Sequence, residues 1–338
     1  MVPFKNMDGK KKYIFSKTAR YLFIFYLIIS LNFLIPHLMP GDPVDYIIGE
    51  GGIAQATAED YEAIYASLGL DRPLHVQYFD YLERIIVLDF GYTYISHISI
   101  NEILKRNLRW TFLLVVPSVF LSAAFSLFFG CVAGFNSDGK TDKIIVSVAI
   151  LVYTLPSFLI GLVALSALGF HLDIFPLGHL TSGGKEGIDY WIDVAYHLIL
   201  PVIVLSVSSA AYKSLVVRSA VTQIKDEYFV FVAKAKGLSK KKIIFTHIMR
   251  NIMPQFISIV ALSFGNVVSG AIIIEIVFSI NGMGMLIHDS VLKREYPVLQ
   301  ACFLILTLTV LACNFIADML YGIVDPRVGD AMKESIDN

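Results

Sequence analysis

The sequence predicts an all-α, polytopic membrane protein with six transmembrane helices, and three observations carry that prediction. Of 338 residues, 56% are apolar and only 16% are charged, and the mean hydropathy is +0.67, far from the composition of a soluble domain. Six apolar runs, residues 20–38, 111–135, 144–169, 196–216, 255–278 and 299–323, are each long enough to cross the hydrocarbon of a bilayer. Lys and Arg are also divided unevenly between the segments that join these runs, as cytoplasmic and external loops require.

The runs are expected to be helices, because a backbone in lipid must satisfy its own hydrogen bonds. A membrane barrel would instead show short segments of alternating polarity. The first run follows Lys10, Lys11, Lys12, Lys17 and Arg20, in the manner of a secretory signal. Its apolar part is long, however, and Met39-Pro40-Gly41-Asp42 is not a small-x-small cleavage site, so it reads as a retained helix. Residues 39–110 form the longest joining segment. There Gly49-Glu50-Gly51-Gly52 precedes an Ala/Glu/Tyr-rich stretch and then Leu68-Gly69-Leu70-Asp71-Arg72-Pro73. The pattern predicts a short helix, a Gly-capped turn and an amphipathic helix over about 74–88, as a docked cap or a mobile loop.

With the N-terminus inside, segments 1–20, 136–143, 217–254 and 324–338 hold 18 Lys and Arg, and the external segments 39–110, 170–195 and 279–298 hold 8. Lys213 remains inside the fourth span, near its inner end. Residues 1–19 and 324–338 are therefore expected to be cytoplasmic, 20–38 the first span, and 111–323 a five-span core that contains the cytoplasmic loop 217–254. A net charge of −1 gives no basic surface for nucleic acid. Cys131, Cys302 and Cys313 lie in apolar runs without metal-binding or disulfide spacing.

The loop carries KDEYFVFVAKAKGLSKKKIIFTHIMRNIMP over residues 225–254. Asp226 suits the N-cap of a helix from Glu227 to about Lys236, and Gly237 suits the left-handed residue that ends it. Ser239 then caps a second helix toward Asn251, and Pro254 marks where the next span begins. Tyr228, Phe231, Val232 and Ala235 fall on one stripe, off which Lys234 and Lys236 lie. Lys240, Lys241 and Lys242 could serve only to anchor topology, but that role leaves the apolar stripe unexplained. Such a stripe on a short loop calls for a headgroup surface or a protein groove.

Ala233-x-Ala235-Lys236-Gly237-Leu238, then His247-x-x-Arg250-Asn251 and Pro254, resembles the coupling loop of binding-protein-dependent ABC importer permeases of the dipeptide/oligopeptide/nickel subfamily. Matching pieces run along nearly the whole chain: Pro40-Gly41-Asp42-Pro43, Leu68-Gly69-Leu70-Asp71-Arg72-Pro73, Leu155-Pro156-Ser157-Phe158, Pro176-Leu177-Gly178, Leu200-Pro201, Glu275-x-Val277-Phe278-Ser279, Gly282-x-Gly284, Tyr296-Pro297-Val298-Leu299-Gln300 and Asp325-Pro326-Arg327. The chain departs from the family at Asn281, usually Pro, at Leu88, usually Gly, and at Phe231, which takes the place of a glutamate in the general permease motif. The resemblance implies a type I ABC importer permease fold in a bacterial or archaeal inner membrane. It also implies alternating access, a second homologous permease, two cytoplasmic ATPase subunits and an extracytoplasmic substrate-binding protein. Glu227, Tyr228, Phe231, Val232, Ala233, Ala235, Lys236 and Gly237 would then couple to the ATPases. Peptides are the implied substrate, with nickel or a metal chelate as the alternative.

No cofactor or metal of its own is expected. Gly183-Gly184-Lys185-Glu186 lacks the spacing and hydroxyl of a phosphate loop, so ATP would be bound by the partners. Seven histidines, His37, His75, His97, His171, His179, His197 and His288, fall in or near the outer half, yet no pair has ligand spacing. In the fifth span Ala261, Gly265 and Ser269 recur at i+4, with Asn266 and Gly270 beside them, as in close helix packing. Asn266, Ser269, Gly270 and Glu275 are also the candidates for lining a pathway, although Glu275 near the outer end could be an interfacial carboxylate. Asp318 could pair with a basic residue. An intramembrane enzyme is disfavoured by the lack of HExxH, GxSxG or paired carboxylates, and an autonomous channel or secondary carrier leaves the cytoplasmic helices unexplained.

In a background without the three native cysteines, Ser137→Cys and Lys240→Cys should be shielded from an impermeant thiol reagent in intact cells, and Ala56→Cys should react. Labelling of Lys240→Cys from outside would reverse the topology.

Overall fold

Helix ends in this chain fall where backbone chemistry stops a helix. The computed structural model describes residues 7–38, 43–48, 57–94 and 96–324. The expected features at residues 40–42, 49–52 and 325–338 lie outside the described residues. Among those described there is no named strand, and one antiparallel bridge joins Tyr92 to Ser99. In chain order the helices are α1 (Met7–Leu38), α2 (Pro43–Ile48), α3 (Ala58–Leu68), α4 (Leu74–Val87), α5 (Ile100–Phe135), α6 (Lys140–Thr154) and α7 (Ser157–Ala164). They continue with α8 (Gly187–Ile224), α9 (Tyr228–Ala235), α10 (Lys240–Lys242), α11 (Met249–Val277), α12 (Met283–Leu292) and α13 (Tyr296–Val324). Leu165–His171 and Ile243–Ile248 are π-helical, and the second joins α10 to α11 without a break. Five helices among the described residues are long and apolar enough to cross a membrane, and a bent pair makes a sixth if its two halves count as one span.

That bent pair corrects the expectation of one straight helix over 144–169. Residues 140–154 and 157–171 meet at 102°. Pro156 offers no N–H and pushes Leu155 to extended backbone (φ −84°, ψ 134°), which ends α6. Pro254 is a second correction. The helix that starts at Lys240 runs on past it to Val277, so the proline sits inside a helix already under way.

The chain divides into two compact units, with the boundaries after Arg109 in α5 and after Leu311 in α13. The first comprises residues up to Arg109 together with Gly282–Leu311. In α3 Thr57 and Asp60 form a capping box: Asp60 N–H donates to the Thr57 hydroxyl and Thr57 N–H to the Asp60 carboxylate. The Thr57 backbone and side-chain donors hold the Asp60 carboxyl below the usual carboxylate range. Gly69 ends α3 with φ +68°, as expected, and α4 follows Pro73. The 57–109 segment is docked, since Tyr78 and Tyr81 of α4 bond Ser30 (2.7 Å) and Asn32 (3.1 Å) of α1. Asn32 Nδ2 also donates to the Gln300 carbonyl, and Tyr94 N–H to Glu295. Below these ties Ile100, Leu104, Met283, Val298, Ala301 and Cys302 form an apolar core.

The second unit holds Trp110–Asn281 and the residues from Ala312 onward. Its tightest approach is between α5 and α8. A Cβ on Gly130 would lie 2.8 Å from the Ser214 carbonyl oxygen and 2.6 Å from Val217 Cβ, and one on Gly134 would lie 2.7 Å from the Arg218 carbonyl oxygen. Gly130-x-x-x-Gly134 is thus a small-residue seam, legible in the sequence but absent from the reading above. At the α8 end of that seam Arg218 clamps Asp142 of α6 through two bonds of 2.9 and 2.6 Å.

Gly134→Ala should destabilise the purified protein by about 1–3 kcal/mol, because the obstructing atom is backbone and cannot rotate away. Phe128→Ala, at an exposed side chain (64% exposed), should change little. Thermal unfolding in detergent reads both; equal midpoints for Gly134→Ala and the parent chain would refute the close seam.

Candidate functional site

The Lys225–Ile248 segment carries the features singled out by the sequence. Its first helix, α9, begins one residue later than expected. Glu227, in extended backbone, is the N-cap, because Val230 and Phe231 N–H donate to its carbonyl, and its side chain makes no capping bond. Asp226 stays in the preceding turn. At the other end Gly237 holds φ +75°, with Gly237 N–H bonded to the Lys234 carbonyl and Leu238 N–H to that of Ala233. Ser239 accepts weakly from Lys242 N–H at 3.4 Å.

Two faces of α9 have opposite fates. Val230 and Ala233, three residues apart, are 0% and 3% exposed. They pack in one apolar cluster with Cys131 of α5, Val217 and Val221 of α8, Ile243 and Ile248, and Ile252 and Phe256 of α11. On the opposite side Tyr228 is 78% exposed and Phe231 65%. Ala235 is also exposed and Val232 half-buried, so the stripe of Tyr228, Phe231, Val232 and Ala235 points outward on a helix whose back is anchored. Glu227, Lys234 and Lys236 surround it in the open. Ala233 must be corrected: it faces the cluster, so it supports the helix from behind and cannot touch a partner. Sequence reasoning also missed Val230; its i, i+3 spacing with Ala233 was the available signal.

The pathway candidates on α11 that are described meet different surroundings. Ser269 is exposed and donates to the Gly265 carbonyl at 3.2 Å. Gly270 faces α8, where an added Cβ would come 3.4 Å from Leu205. Glu275 is 0% exposed and accepts a 2.5 Å bond from the Thr111 hydroxyl. A buried carboxylate needs such donors, and Thr111, far away in sequence, gave no sign of supplying one. The side chains of Asn266 and Asp318 lie outside the described residues. Among the described residues no group of three His, Cys, Asp or Glu is placed to hold a metal ion.

Comparison with known proteins places these features. Residues 11–115 match the N-terminal family of binding-protein-dependent transport system membrane components, and residues 126–330 match the family described as binding-protein-dependent transport system inner membrane component. The dipeptide transport system permease protein DppB of Escherichia coli K12 is 29% identical over 319 residues, covering 88% of this chain and 93% of its own. The oligopeptide transport system permease protein AppB of Bacillus subtilis 168 is 31% identical, covering 94% and 98%. The glutathione transport system permease protein GsiC of Salmonella typhimurium LT2 is 31% identical, covering 89% and 94%. A chain of the MetNI methionine ABC transporter, solved in inward-facing conformations, shares the fold with a TM-score of 0.53 at 13% identity, covering 66% of this chain and 96% of its own. With nearly its whole length matched, this chain belongs to the binding-protein-dependent transport system inner membrane components and is a multi-pass permease subunit of an ABC importer.

Proposed function

We propose that this permease imports peptides by alternating access, forming half of the pathway beside a second, homologous permease. Two cytoplasmic ATPase subunits bind and hydrolyse the ATP, and an extracytoplasmic binding protein delivers the substrate. Both termini and the 217–254 loop are cytoplasmic in this reading, which rests on the distribution of Lys and Arg. Peptides are favoured because the three relatives are named for dipeptide, oligopeptide and glutathione transport, substrates that share amide-linked amino acids. Nickel finds no such support among them.

The observation that carries the coupling role is α9 itself. A helix anchored through Val230 and Ala233 yet presenting Tyr228 and Phe231 to solvent leaves two aromatic rings without a packing partner in this chain's own core. Aromatic side chains on an anchored helix suit a groove on an ATPase, and closure of the nucleotide-bound ATPase pair would then push α9 and its anchorage together. Glu227, Lys234 and Lys236 supply the polar rim.

Phe231→Ala should leave the chain folded and inserted but reduce the amount of ATPase subunit retained when the permease is affinity-purified, a loss of about 2 kcal/mol or more if the ring is an anchor. Gly237→Val should lower binding-protein-stimulated ATP hydrolysis and uptake at normal assembly. No atom lies within 4 Å of the added Cβ, so its cost is the backbone strain at φ +75°, roughly 1–2 kcal/mol. The isolated chain should hydrolyse no ATP, and Lys241→Ala should change little. Full ATPase retention by Phe231→Ala together with full transport by Gly237→Val would remove α9 from the coupling role.

A further inference from the structure

Lys213 of α8 is 1% exposed inside a membrane-crossing helix. Its Nζ donates to three hydroxyls: Ser122 of α5 at 2.7 Å, Ser209 one turn back on α8 at 3.0 Å, and Ser263 of α11 at 3.2 Å. Among the described residues no carboxylate is paired with it. An ammonium has three protons to give and no lone pair, and here three oxygens receive them. Two of those oxygens are oriented to do so: Ser122 spends its own proton on the Val119 carbonyl (2.9 Å), and Ser263 spends its own on that of Val260 (2.8 Å). They turn only lone pairs toward Lys213. A neutral amine would be satisfied as well, giving its two protons to Ser122 and Ser263 and accepting that of Ser209, so the three bonds hold in either protonation state.

A buried amine is an expensive way to fill space, which an apolar side chain would fill without penalty. What it gains is a simultaneous tie to three helices in a medium that gives apolar helices no reason to associate. Each hydroxyl ties Lys213 to its own helix, and a helix that draws away leaves a polar group of Lys213 unpaired in a dry interior, a cost that opposes the separation. Elsewhere on the same three helices, the apolar cluster of Cys131, Val217, Val221, Ile252 and Phe256 grips Val230 and Ala233 of α9. We infer that Lys213 is a positioning residue for transport: it locks α5, α8 and α11 into one rigid body, so that a displacement imposed on α9 reaches the far end of α11 undiminished. The inference rests on the coupling role proposed for α9.

The test uses the complete transporter in lipid nanodiscs, with the three native cysteines of this chain replaced. Spin labels go on Phe229→Cys of α9, outside the proposed ATPase contact, and Ile273→Cys of α11, both exposed, and in a second pair on Phe229→Cys and the exposed Phe120→Cys of α5. In the otherwise unaltered chain both distances should be narrowly distributed and equal in the nucleotide-free and the ATP-vanadate-trapped states. Lys213→Met, which keeps length and apolar bulk, should broaden both. In vesicles it should lower alanyl-alanyl-alanine taken up per ATP hydrolysed by about fivefold or more. Ser263→Ala frees only α11, so it should broaden the first distance and leave the second narrow. Simple destabilisation would reduce the yield of complex without changing the uptake-to-ATP ratio or the distances. Narrow, unchanged distances in Lys213→Met overturn the inference, and if that variant does not assemble, a narrow first distance in Ser263→Ala overturns it instead. The distances need no knowledge of the substrate. If the peptide assignment fails, uptake is absent in the parent chain too, while the distances still decide the role of Lys213. If α9 is not the coupling helix, Phe231→Ala keeps its ATPase subunits and the Lys213 distances behave as stated.

Discussion

Lipid offers an apolar helix everything that another apolar helix offers, so a membrane bundle must be held by close approach and by polar ties rather than by exclusion of water. The second unit of this permease is arranged around that constraint. Gly130 and Gly134 let α5 and α8 touch backbone to side chain, and Arg218 clamps Asp142 between α8 and α6. Thr111 and Glu275 join α5 to α11, and Lys213 joins α5, α8 and α11 at one point. The Glu275 and Lys213 ties are polar and buried, and each would be a liability in a soluble core. Within hydrocarbon they specify which helices are neighbours.

The placement of α9 follows from this scaffold. Where the helices leave the polar ties, an apolar cluster takes over and seats Val230 and Ala233. The seat determines the opposite face, because on a helix the residues that point away from Val230 and Ala233 are Tyr228, Phe231 and Ala235. In the coupling role proposed for it, α9 would receive force on its outward face, and the uninterrupted helix from Lys240 through the π-helical turn into α11 would carry it onward.

The first unit combines membrane-crossing α1 and part of α13 with short helices. Its short helices are bounded by a capping box at Thr57, a left-handed glycine at Gly69 and the proline before α4, all devices of water-exposed chains. It is docked by tyrosine hydroxyls of α4 that reach Ser30 and Asn32 on α1, and by Glu295 receiving the backbone of Tyr94.

What the sequence determined by itself was everything set within one segment: the membrane class and the spans, the caps of α3, the left-handed Gly237, the outward stripe on α9 and, through ordered motifs, the family. These depend on periodicity, backbone preference and hydropathy, which act over a few residues. The bend at Pro156 was also written locally and passed over, because run length was weighed above what a proline does to the residue before it. Only the tertiary structure decided that Glu275 is buried against Thr111, that Ala233 faces inward, and that Lys213 finds Ser122 and Ser263. Those partners lie 50 to 164 residues apart in sequence. Whether a polar group in a span meets lipid, water or a partner depends on which helix lies beside it, and that choice is made by packing across the whole bundle rather than by any stretch of the chain.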